Sequence, residues 1–375
     1  MKLFKSLLVA PATLGLLAPL SATANEVTIN DFNPAEELAV TNSRLDGLEA
    51  RLNNFEAGSF SETTTASFSA DFYLGSEDTS STETSTGVAT DNDLDDSIMA
   101  GYSFQIDLNT SFTGEDSLDI SLDAGNADAA GIAEFDGNGG SDALTVDGVA
   151  YTFPVGGATV FVGDNSDGSS LFTTACVYGG PSNTLDDCAN VNAGITGGDI
   201  AAGASYDFGN GFTVATGMQT SQQVLTEESL DGIALNAAYT GESYGVSLTY
   251  SSVETSTTEE DTATAINAYY TPEGLPSISV GYETVDIGGA ASTADEKESV
   301  FAGLTWDEVG PGSLGVALGY SNIVEGSDEE YMYEAYYSYP VNDGMTITPL
   351  VFVKENATAG QDDTTGVMVK TSFSF

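Results

Sequence analysis

Two stretches of the sequence have residue types that could hold a cation or a phosphate, and both fail on spacing. DNDLDDS (91–97) sets Asp91, Asp93 and Asp95 as a calcium loop begins, but Asp96 stands where the loop needs glycine and Tyr102 where it needs a bidentate glutamate. It reads as a solvated acidic loop. FDGNGGSD (135–142) is glycine-rich, yet it lacks a lysine for a phosphate and no helix pattern follows it. It reads as a flexible loop. The chain has no histidine, which removes Ser-His-Asp and Cys-His catalysis and most catalytic zinc sites. Carboxylate-pair chemistry or an oxygen-ligated metal remains, and no pair stands out among 57 acids. The residues therefore point to no enzyme, no cofactor and no metal site.

The elements that carry these residues are strands. Gly 42, Tyr 17 and Phe 18 make a chain of strand and turn formers, poor in helix formers. Lys+Arg 7 against Asp+Glu 57 gives a net charge of −50, which excludes nucleic acid as a partner. MKLFKSLLVAPATLGLLAPLSATA (1–24) has the form of a secretory signal, with Lys2 and Lys5, an apolar stretch through Leu20, and Ala22 and Ala24 placed for cleavage. No later run approaches the roughly 20 apolar residues of a membrane helix, so a membrane form would have to be a barrel.

One helical segment, within 25–58, precedes the strands. Leu38, Leu45, Leu48, Leu52 and Phe55 keep a heptad register, with Thr41 at the missing seam position. The spacing predicts either a short oligomeric stalk or a single amphipathic helix packed on its own domain. Gly47 weakens its middle by about 1 kcal/mol.

The run SRLDGLEARLNNFEAGSFSETTTASFSADFYLG (43–75) resembles the junction of cyanobacterial outer-membrane porins, where a coiled-coil helix leads into a first strand. The signal and the terminal Phe375 fit the same family. The resemblance covers about a fifth of the chain. It implies a porin, assembly as a homotrimer, and recognition of the terminal aromatic strand by the barrel assembly machinery. Family members commonly carry an S-layer-homology domain before the helix. Only residues 25–33 stand there here, which puts a peptidoglycan-tethering role in doubt.

From Ser61 the sequence breaks into segments of about ten residues with alternating hydrophobicity. Sixteen are counted, the clearest being 97–108, 211–219, 243–251, 300–307 and 313–321, and the least distinct lying between Ser117 and Val162. Short connections (208–212, 240–244, 271–276, 307–312, 340–344) alternate with long acidic ones such as VETSTTEEDT (253–262) and KENATAGQDDTTG (354–366). The fold expected is therefore all-β: a transmembrane antiparallel β-barrel of sixteen strands over 59–375, preceded by a short α-helical coiled-coil segment. Tyr206, Phe208, Phe212, Tyr239, Tyr244, Tyr270, Trp306, Tyr339 and Phe375 all abut short turns or the C-terminus, as an interfacial girdle requires. A soluble sandwich or solenoid would bury its aromatics in mid-strand.

Within that frame, Asp71, Asp107, Asp119, Asp207, Glu283, Glu334 and Lys370 fall at inward alternation positions, while Lys297 and Lys354 fall in long loops. No arginine follows Arg51. The third long connection, 164–199, holds both cysteines and occupies the place of the loop that folds inward in general porins. Its Asp164, Asp167, Asp186 and Asp187 are the candidate constriction acids, and Cys176 and Cys188 are expected to pair in the oxidising exported compartment. The function expected is a passive, cation-preferring outer-membrane channel for small hydrophilic solutes and inorganic ions, with membrane lipid around it. The alternatives are a channel selective for carbohydrates or iron and, in another class, a soluble acidic surface or adhesion protein.

Overall fold

The computed structural model describes residues 64–78, 97–127, 134, 137–138, 142–221, 230–256, 258–289, 294–357 and 362–375. The signal stretch, the seam from Leu38 to Phe55 and the acidic run 91–96 lie outside the described residues.

Among the described residues sixteen strands follow in order: β1 (Thr64–Asp78), β2 (Met99–Thr110), β3 (Ser117–Gly125), β4 (Thr145–Val155), β5 (Ala158–Ser166), β6 (Gly198–Asp207), β7 (Phe212–Thr220) and β8 (Asp231–Thr240). The second half comprises β9 (Tyr244–Ser256), β10 (Glu259–Tyr270), β11 (Ser277–Asp286), β12 (Glu296–Val309), β13 (Gly312–Val324), β14 (Met332–Asn342), β15 (Met345–Lys354) and β16 (Thr364–Ser374). Each pairs antiparallel with its sequence neighbours, and β1 pairs with β16, closing the barrel. Closure leaves no sheet edge with unpaired backbone groups.

Alternation decides which side each residue takes. On β9, Tyr244, Val246, Leu248 and Tyr250 are exposed on the outer wall, while Ser247, Thr249 and Ser251 are buried on the inner one. The same inversion runs round the barrel, with Phe72, Leu74, Ile233, Leu235, Val280 and Val351 all exposed. An apolar outer wall of this extent needs an apolar medium to cover it. The terminal strand obeys the same rule. Phe375 stacks on Phe68 at 5.8 Å and Phe373 meets Phe72 edge-on at 6.0 Å, both along the outer face of the β1–β16 seam. Reciprocal backbone bonds of 2.9 and 3.0 Å join Phe68 and Phe375.

One end of the barrel carries tight turns and both strand termini. Tyr206, Phe208, Phe212, Tyr239, Tyr244, Tyr270, Tyr339 and Phe375 are exposed there. In the turn before β3, Asp116 collects the Tyr151 hydroxyl at 2.6 Å, the Thr113 amide at 2.7 Å and the hydroxyls of Ser111 and Thr113 at 2.8 Å. These donors, the Tyr151 hydroxyl first, hold its carboxyl well below the usual carboxylate range.

The other end carries the longer connections, with one correction. Residues 253–262 are not a long loop: β9 and β10 run through them, with Asp261 paired to Val253 and Glu260 to Glu254. Likewise Lys297 begins within β12 and Lys354 ends β15, so neither lies in a loop. The ends of β9, β10 and β12 carry polar residues on both faces, which erases the alternation while the backbone ladder continues.

Candidate functional site

The connection between β5 and β6, residues 167–197, lies inside the barrel. Its two ends are joined where the Gly197 amide donates to Asp167 Oδ1 at 3.0 Å. A loop that leaves solvent must place its backbone polar groups elsewhere, and here inward side chains of the wall receive them. Thr173 N donates to Asn236 Oδ1 on β8 (3.1 Å), Ala175 N to Ser247 Oγ on β9 (2.9 Å) and Val177 N to Ser279 Oγ on β11 (3.0 Å). The outward arm ends on β14, where the Tyr178 hydroxyl donates to Glu334 Oε1 at 2.5 Å. Burial, then the adjacent Glu334 carboxylate, push the Tyr178 phenol far above its ordinary range, so it stays a donor. Its ring packs on Phe301 at 5.2 Å and Tyr336 at 5.7 Å.

The return arm is fixed as closely. Asn267 Nδ2 donates to the Cys188 carbonyl at 2.7 Å, and the glycine at 281 leaves room for that carbonyl, with which an added Cβ would collide. Cys188 and Ala189 both have left-handed backbone (φ 53° and 57°). Cys176 and Cys188 form a disulfide, Cα atoms 6.5 Å apart. Beyond it, Asn192 N and Ala193 N donate to Glu283 Oε1 at 2.8 and 2.7 Å, and Asn192 Nδ2 donates to Glu283 Oε2 at 2.6 Å.

The bonds that fix the loop therefore run to β8–β14, and the facing wall is β1–β3. On that wall Asp71 pairs with Lys370 at 3.2 Å. Asp107 accepts from Gln105 Nε2 and Ser121 Oγ, each at 2.8 Å. Asp119 accepts from Asn109 Nδ2 at 2.5 Å and Ser117 Oγ at 2.7 Å. Asp123, which the sequence did not single out, accepts from Thr145 Oγ1 at 2.5 Å. All four carboxylates are partly exposed on the inner face of β1–β3.

Several sequence candidates land elsewhere. Asp164 belongs to β5 and alternates with the inward Phe161, so it faces outward rather than into the passage. Asp207 is on the inner face of β6, but at the short-turn end, where its Oδ1 accepts from Gly209 N at 2.7 Å. Glu283 and Glu334 point inward and are 0% and 4% exposed, so they anchor the loop and do not meet the open passage. Asp186 and Asp187 are exposed on the loop's tip. Asn192, Tyr178, Ser247 and Ser279 were missed, since nothing in a run of inward Ser and Asn marks which of them a loop will use.

The described residues contain three lysines and no arginine. Each lysine reaches inward to a partner: Lys297 Nζ to Asn192 Oδ1 at 2.9 Å, Lys354 to Glu134 at 2.8 Å, and Lys370 to Asp71. Among the described residues no group of three or more Cys, Asp or Glu could hold a metal ion.

No protein-family model and no curated protein matches the sequence. Solved structures share the fold. Pseudomonas putida OprB at high pH aligns with TM-score 0.58 and 12% identity over 84% of this chain and 94% of that one. A variant of the Rh. blastica porin aligns with TM-score 0.50 and 12% identity over 83% of this chain and 100% of that one. Identity this low carries the fold and nothing finer.

Proposed function

We propose that the chain is an outer-membrane porin: a passive channel that admits small hydrophilic solutes and inorganic ions and prefers cations. The observation that carries this reading is the position of loop 167–197, inside a closed barrel and bound to one wall while the acids of the other remain partly exposed. A barrel of sixteen strands is wide enough to keep an aqueous passage after such a loop enters it. Its apolar outer wall is the lipid contact, and the short-turn end, with its exposed aromatics, faces the periplasm. The resemblance at 43–75 supports the rest of the reading: export by residues 1–24, a stalk through Leu38, Leu45, Leu48, Leu52 and Phe55 that joins three copies, and insertion through the strand ending in Phe375.

Planar-bilayer recording of the detergent-extracted protein tests the reading. Discrete ohmic conductance steps are expected, from material whose gel mobility changes on heating. A protein that stays in the aqueous fraction and adds no conductance would be an acidic surface protein instead.

A further inference from the structure

Described residues of a second connection also lie inside the barrel. Between β3 and β4, Ala127 is fully buried and packs where Gly101 has no side chain, and Asn138 N donates to Ser103 Oγ on β2 at 2.8 Å. From the same connection Glu134, 7% exposed, meets the tip of loop 167–197. Asn183 N donates to the Glu134 carbonyl at 2.8 Å, Thr184 N to Oε2 at 3.2 Å and Thr184 Oγ1 to Oε1 at 3.0 Å. Lys354 Nζ, from β15, binds both Glu134 Oε1 at 2.8 Å and Thr184 Oγ1 at 3.0 Å. Thus one carboxylate ties together two inward loops and the wall strand that lies four places from its own, counted through β16, β1 and β2.

We infer that Glu134 is a positioning residue that sets the aperture: it latches the β3–β4 connection onto loop 167–197 and holds both against Lys354. The inference rests on the channel reading. The native disulfide does not duplicate the latch, because Cys176 and Cys188 lie within one loop and cannot join it to the other. Nor do the wall bonds of loop 167–197, which fix that loop to β8–β14 and leave the β3–β4 connection untouched. The cavity beside the latch, about 260 Å³, is lined by Glu77, Glu330 and Glu355 as well as the pair. Lys354 therefore faces acids whether or not Glu134 is present.

A latch and a mere local charge respond differently to two substitutions. If the latch sets the aperture, Glu134→Ala and Lys354→Ala each raise single-channel conductance by about twofold and raise the size of neutral polymer that enters, because pore radius limits both. The double variant then adds little to either single one, as residues of one unit are non-additive. If Glu134 is only a lumen charge, conductance and size limit stay at their original values, while the two substitutions move the reversal potential in opposite directions. That result overturns the inference. Thr184→Val, at the third partner, replaces either variant that fails to assemble and should also widen the pore. A parent protein that makes no channel at all would overturn the porin reading, whereas a conducting parent with unaltered variants overturns the latch alone.

Discussion

Asn192 has a partner on each of its polar groups. Its amide and Nδ2 bind Glu283, Nδ2 also binds Asn322 Oδ1 at 2.8 Å, Oδ1 receives Lys297, and its carbonyl accepts Ser251 Oγ at 3.2 Å. Asn192→Asp would keep the size and set a second carboxylate against a fully buried one. Losing the Nδ2 hydrogen bond to the buried Glu283 carboxylate costs about 1.5–3 kcal/mol, offset in part where Lys297 gains a charged partner. The return arm of the loop should then come free, read as increased open-channel noise with the barrel still closed. Quiet openings identical to the parent's would mean that Asn192 holds nothing. The cysteines predict the opposite outcome. Loop 167–197 is bonded to the wall on both sides of the disulfide, so replacing Cys176 and Cys188 with Ser should leave conductance unchanged. Thermal resistance should fall, because closing a loop with a sequence separation of 12 is worth about 3 kcal/mol in the chain-entropy model.

At the scale of elements, the sequence carried the strands well wherever two different media met across them. The alternations at 97–108, 243–251 and 313–321 became β2, β9 and β13, and the tight turns at 208–211 and 241–243 stand where the turn residues put them. The pattern failed at the loop end. There both faces of a strand are wet, so Glu254, Glu259, Glu260 and Asp261 read as loop although the ladder passes through them. The inward course of loop 167–197 was likewise suggested only by its length and by analogy, since its anchors are ordinary Ser and Asn residues. Hydrogen exchange separates strand from loop directly. Amides of 251–256 and 259–262 should be protected in the detergent-solubilised barrel, as ladder members are. Exchange as fast as that of a free peptide would return this segment to a loop.

At the scale of the whole molecule, the sign of the field through the passage follows from where the few cations sit. Of 57 acids against seven basic residues, only three lysines lie in the described barrel, and each points at an acceptor. The facing wall meanwhile presents Asp71, Asp107, Asp119 and Asp123, of which Asp71 alone has a lysine. Low-dielectric walls focus a field of one sign, and on the proposed reading that field should concentrate cations in the passage and repel anions. The rival explanation is that acidity only keeps outward loops soluble. It accounts for the acidic strand ends and for Asp123 beside them, but not for Asp71, Asp107 and Asp119, which lie well within β1–β3 on the inner face. Reversal potentials across a potassium chloride gradient decide between them. At roughly 0.1 M salt, where the Debye length is about 10 Å, the channel should favour potassium, and the preference should shrink near 1 M, where that length is about 3 Å. Replacing Asp107, Asp119 and Asp123 with Asn should move the low-salt potential toward zero while leaving the loop's anchors in place. A parent channel that is neutral or anion-selective at low salt, or a triple variant that matches its parent, would show that these carboxylates do not set the field.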